Sequence, residues 1–180
     1  MWTVIGVLAL AALWLVLTYN ALVKLRVLAD NAWSDVDVQL RRRAELVPNL
    51  VETVKGYATH ERTTLDQVVA ARARAVAAPS AAERIAAENQ LTAALRQVFA
   101  VAEAYPELKA NESFVQFQGQ LAELEGELAN GRRYYNAVVR DFNTKQLTFP
   151  TNAVAGLLGF AQRPFFEADD DERQAPTVRF

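Results

Sequence analysis

His60 and Glu61 are the first pair that invites a chemical reading, because a His-Glu step is how a helical H-E-x-x-H zinc site begins. That site needs a second imidazole one turn further on, and His60 is the only histidine in the chain. His60 is therefore read as an exposed helix residue. Ser34 and the threonines have no base beside them for nucleophilic chemistry. The seven glycines are scattered, so no phosphate cradle is formed. Asp169-Asp170-Asp171-Glu172 lacks the alternating ligands and turn glycine of a calcium loop and reads as an acidic, mobile tail. No catalytic, cofactor-binding or metal-ligating residue is expected, and the chain is read as not an enzyme.

The run Arg41-Arg42-Arg43 is the strongest candidate for binding an anionic lipid. On a straight helix it lies roughly 27 Å beyond Val23, whereas salt screens charge over about 8 Å. A solvated, ion-paired face is the reading that survives this distance. A net charge of −2 likewise gives no basic stripe for nucleic acid.

The elements that carry these residues are read from apolar spacing. From Met1 to Val23 no side chain is charged, and Lys24 and Arg26 follow at once. About 20 apolar helical residues cross a bilayer's hydrocarbon core. A cleaved signal would need a basic start, a lipoprotein would need a cysteine, and a core helix would be one-sided; none fits. Trp2 at one end and Trp14 with Tyr19 near the other suit the bilayer interface. The basic flank places the bulk of the chain in the cytoplasm.

Beyond the span, helix formers dominate and helical periods recur. Leu25, Ala29, Trp33, Val36, Leu40 and Ala44 mark one stripe, with Asp37 and Arg41 paired on the outer face. Val51, Val54, Ala58, Leu65, Val68 and Arg72 continue it. Ser80 and Glu83 form a capping box before Leu91, Leu95, Val98 and Ala102. The last long helix carries Phe114, Phe117, Leu121, Leu124, Leu128, Tyr135, Val138 and Phe142 in heptad fashion.

Pro48 selects between two architectures. Inside a helix its ring would clash with the Ala44 carbonyl at a cost of about 3 kcal/mol; at the first position of a new helix it would not. The second option gives helices over 24–46, 48–78, 80–104 and 111–146, of similar length and able to pack up and down. An all-α antiparallel bundle of four helices behind a transmembrane helix is expected. Three helices with a kinked long first one is the alternative.

Several segments then resemble a known family. Tyr19-Asn20-Ala21-Leu22-Val23, the run from Ala32 to Arg43, and Leu46 to Ala58 are similar to the start of LemA family proteins. Ala104 to Asn111, Arg133-Tyr134-Tyr135-Asn136, Phe149-Pro150, Gly159-Phe160 and Phe165-Phe166-Glu167 follow in the same order. The resemblance implies a bacterial membrane helix with a short outer N-terminus and a helical-bundle body. It brings no catalytic residues, and magnetosome-membrane relatives point to membrane organisation. Some relatives carry a lipid-attachment cysteine, which this chain lacks.

The expected organisation is an anchor over 1–23, a bundle over 24–160 and a mobile tail over 161–180. Leu157, Leu158, Phe160, Phe165 and Phe166 form the candidate interaction surface, which packs under the bundle, dips into the lipid interface or receives a partner. The expected partners are the bilayer and a membrane or cytoplasmic protein, with self-association as the alternative. The expected location is the bacterial cell membrane. The expected role is that of a protein-interaction adaptor, with a membrane-organising or envelope-stress scaffold as the runner-up.

Overall fold

A computed structural model describes residues 1–167, and the acidic run Asp169–Glu172 lies outside them. Every regular element among the described residues is a helix: α1 (Trp2–Lys55), α2 (Arg62–Ala77), α3 (Ala81–Ala102), the short α4 (Pro106–Lys109), α5 (Glu112–Leu147) and the short α6 (Asn152–Ala155). The described residues divide into two compact units, one made of 1–35 with 131–165 and the other of 36–130 with 166–167. Both α1 and α5 supply residues to each.

In the unit built on 36–130, the core is drawn from α1, α2, α3 and α5, with Leu108 added from the short α4. Val47, Leu50, Val51, Val54, Leu65, Val68, Leu91, Leu95, Val98, Leu108, Phe114 and Leu121 are buried together. Four long helices therefore do contribute, as the spacing implies, but the first break is not at Pro48. Helix α1 runs through that proline to Lys55, and the turn falls at Gly56–Glu61. His60 accordingly sits exposed in a turn and not on a helix.

The physical reason lies 28 residues from Ala44. Proline has no N–H for the carbonyl of the residue four before it, so the Ala44 oxygen loses its helical donor. The Arg72 Nε donates to that oxygen at 2.6 Å. Pro48 itself faces solvent, where its ring is accommodated. A side chain from α2 thus satisfies the group that Pro48 orphans.

Replacing Arg72 by Ala is expected to cost about 1.5–3 kcal/mol, the range for a hydrogen bond from a charged donor. In a Pro48→Ala background the residue 48 N–H supplies the missing bond, and the same change should cost less. Denaturation midpoints of the four proteins in this cycle give the coupling, and strict additivity would contradict the compensation.

Capping decides the α2–α3 boundary. The Ser80 Oγ accepts from the Glu83 N–H at 3.3 Å, the N-cap half of the expected box, and the Glu83 carboxylate accepts from the Ser80 hydroxyl at 3.0 Å. The Arg84 guanidinium closes the other side, donating to the Ala75 carbonyl in the last turn of α2 at 2.7 Å.

In the unit built on 1–35 and 131–165, Leu22 packs with Phe142, Ala155 and Phe160, flanked by Val23, Leu25 and Leu158. Trp33, which the spacing places on the apolar stripe, is only half-buried; Ala29 and Ala32 hold the buried line. Its ring lies 5.4 Å from that of the fully buried Tyr135.

Residues 161–164, expected to begin a mobile tail, are instead held. The Asn143 side-chain amide donates to the Arg163 carbonyl at 2.9 Å and accepts from the Arg163 N–H at 3.0 Å. The Tyr135 hydroxyl donates to the Pro164 carbonyl at 3.0 Å. Buried polar side chains on α5 thus satisfy an irregular backbone that would otherwise lack partners.

Candidate functional site

Three places in the molecule gather polar or apolar groups beyond what a simple core requires. The first is a buried ionic layer in the unit built on 36–130. Positions 36, 40, 43, 47, 50 and 54 of α1 are all buried at alternating steps of four and three, so Arg43 occupies a core position. On α3 the same steps run through 84, 88, 91, 95, 98 and 102, which brings Arg84 and Glu88 inside. The Arg43 Nη2 meets the Glu88 carboxylate at 2.5 Å and the Glu88 carbonyl at 3.3 Å. Its Nη1 donates to the Thr92 hydroxyl at 3.0 Å and is bonded to Glu125 on α5. The Arg84 Nε lies 2.9 Å from the other Glu88 oxygen, an ion pair without hydrogen-bond alignment.

This layer corrects the solvated-face reading of Arg41-Arg42-Arg43. Arg41 is exposed and pairs with Asp37 at 2.7 Å, as its spacing implies, and Arg42 is exposed as well. Arg43 is fully buried. Its heptad step was the signal, masked by two neighbouring arginines of the same type. The layer links α1, α3 and α5 at one level, which favours a single register over slipped alternatives.

The second place is a groove of about 320 Å³ lined by Arg42, Glu45 and Leu46 of α1 and Gln120, Glu123, Leu124 and Glu127 of α5. Two leucines and three carboxylates face it, with one guanidinium. Spacing alone did not single out this set, because its residues come from helices far apart in sequence.

The third is the piece after α5. The N–H of Phe160 bonds the Ala155 carbonyl at 3.1 Å, and that of Gly159 bonds the Gly156 carbonyl at 3.1 Å. Gly159 takes a left-handed φ of 75°, as this helix-ending motif requires. The reversal turns Phe160 inward, its ring 5.8 Å from Tyr19 and 6.3 Å from Phe142. The Arg26 guanidinium lies 5.5 Å from the same ring. Of the candidate surface residues, Phe160 and Phe166 are therefore buried and Leu158 is half-buried, so these three are not open surface. Leu157 is 88% exposed and Phe165 41%.

The remaining reactive side chains are otherwise engaged or isolated. The Ser34 hydroxyl donates to the Asp30 carbonyl within its own helix at 3.0 Å. Among the described residues no three His, Cys, Asp or Glu side chains gather in a way that would hold a metal ion.

The model of the LemA family matches residues 32–180. "Protein LemA" of Metamycoplasma hominis is 30% identical over 148 residues, covering 80% of this chain and 66% of that protein. "Magnetosome protein MamQ 2" of Paramagnetospirillum magneticum is 25% identical over 179 residues, covering 85% of this chain and 66% of the relative. "Magnetosome protein MamQ" of Magnetospirillum gryphiswaldense is 24% identical, with 84% and 65% covered. The chain thus spans just under two thirds of the length of these curated relatives. With most of its length matched by the family model, the ordered segments from Ala32 onward have their explanation: this chain belongs to the LemA family.

Proposed function

We propose that this chain is a single-pass protein of the bacterial cell membrane that acts by binding another protein there. The observation that carries the anchoring is the state of α1 between Met1 and Leu17. Trp2, Val4, Ile5, Val7, Leu8, Leu10, Leu13, Val16 and Leu17 are exposed on every side of the helix. A helix apolar all round and uncovered by its own chain needs hydrocarbon as its solvent. The window is long and apolar enough to cross a membrane. Lys24 and Arg26, both exposed, support a cytoplasmic body.

The groove between Arg42 and Glu127 supports the adaptor reading. An amphipathic helix would lay apolar side chains against Leu46 and Leu124 and basic ones against Glu45, Glu123 and Glu127. The occupant is therefore a basic amphipathic segment of a membrane or cytoplasmic protein. The test is photo-crosslinking in intact cells from a reactive residue at position 120, with and without Glu123→Lys and Glu127→Lys. Capture of a protein with such a segment, lost on charge reversal while the melting curve is unchanged, supports the adaptor. Equal capture in both proteins contradicts it.

A second reading is a membrane-organising scaffold working through lipid contact and self-association. It is favoured by exposed Phe149 and Leu157 in the unit that carries the span, and by the magnetosome relatives. Crosslinks from position 120 only to other copies of this chain would support it.

A further inference from the structure

We propose that the turn after α5 is a second membrane contact, in which Phe149 and Leu157 insert at the boundary between lipid headgroups and acyl chains beside α1. This rests on the reading of α1 as a membrane span. From Gln146 to Gln162 no side chain is charged, and the stretch is bracketed by Lys145 and Arg163. The span shows the same arrangement, an uncharged run closed by Lys24 and Arg26.

The level of this turn is fixed by its contacts. Ala155 and Phe160 pack with Leu22, and the Phe160 ring meets Tyr19 and Arg26. These partners straddle the point where the uncharged run ends, within a rise of about 10 Å along the helix. Amphipathic elements that lie in the interface bury their apolar face by about 5–10 Å, which matches that height.

The inward groups of the turn are already committed. Gly159 directs Phe160 into the core, Ala155 and Thr151 are buried, and the outward residues are those left over. Phe149 is 80% exposed and Leu157 is 88% exposed, with Leu147 exposed as well. Single exposed apolar side chains are ordinary. Here they occur on an uncharged turn held beside the end of a span, and lipid is the partner whose chemistry continues from that span. The flanking Lys145 and Arg163 add attraction to anionic headgroups, although Arg163 shares its charge with Asp30 at 2.6 Å.

The absence of cysteine from the chain makes the test direct. Phe149→Cys, Leu157→Cys, Leu10→Cys and Val76→Cys each accept one polarity-sensitive dye on the full chain, reconstituted into vesicles of phosphatidylethanolamine and phosphatidylglycerol. All four positions are exposed, so labelling leaves the core intact. The expected result is blue-shifted emission quenched by nitroxide-bearing lipid at positions 149, 157 and 10. Position 76 should report water. Aqueous emission at 149 and 157 with lipid-like emission at 10 overturns the second contact and leaves the anchor standing. Aqueous emission at 10 overturns the anchor, and with it the inference that depends on it.

Discussion

Replacing Glu88 by Leu is expected to destabilise the chain by about 3–5 kcal/mol, the range for breaking a buried ion pair from one side. The carboxylate is fully buried between two guanidinium groups, and its loss leaves Arg43 with one carboxylate partner and Arg84 without its closest one. Glu125 retains a bond to Arg43, but its side chain is partly in water and compensates only in part. Replacing Arg43 and Arg84 by Met in the same protein removes the uncompensated charges. That triple variant should recover much of the loss, because apolar side chains of similar volume commonly match a buried ionic set. Chemical denaturation of the full chain in detergent micelles measures both. A single Glu88→Leu change costing under about 1 kcal/mol would place these charges in solvent instead.

Tyr135→Ala is the second large effect, expected at about 3–5 kcal/mol for a fully buried aromatic. The ring packs on Trp33, and its hydroxyl donates to the Pro164 carbonyl, so truncation both opens a cavity and releases the returning chain. Tyr135→Phe keeps the ring and should cost about 1 kcal/mol. The Phe variant also differs from the native chain in alkaline solution. Burial chiefly raises the Tyr135 phenol above its ordinary value of 10.0, with Arg163 lowering it and Asp30 raising it. A neutral phenol is favoured by the fold, so its contribution is intact below about pH 10 and is lost as pH rises through the raised value. The Phe variant should lack that part of the alkaline loss, and thermal melts across the range would show it.

Much of this fold was legible from spacing. Leu91, Leu95, Val98 and Ala102 are buried as their period implies, and so are Phe114, Leu121, Leu128, Tyr135 and Phe142 at strict seven-residue steps. The Ser80–Glu83 box gave the start of α3 because capping is local chemistry. Pro48 misled because its remedy is not local. The donor that satisfies Ala44 comes from Arg72, on another helix, and a rule about proline sees only the same turn.

Arg43 shows a different failure. Its residue type argued for solvent while its position argued for the core, and the position decided because Glu88, Thr92 and Glu125 were there to meet it. Trp33 is the reverse case, a large ring placed beside the buried line and not on it. Within the candidate surface, Gly159 takes the left-handed conformation at the turn that carries Phe160 inward, while Leu157, two residues before it, is exposed. The groove of Leu46 and Leu124 required the tertiary structure, since neither leucine's own helix indicates what stands opposite.

The most direct measurement is extraction of cell membranes with alkaline carbonate, followed by detection of the full chain and of a form lacking residues 1–17, which keeps Tyr19 and Leu22. An uncharged span is held by hydrocarbon and not by surface charge, so the full chain should stay in the pellet. The shortened form should appear in the supernatant with its helical content retained, because the buried stripes beyond Lys24 remain. Recovery of the full chain in the supernatant would contradict the membrane anchor on which the functional reading stands.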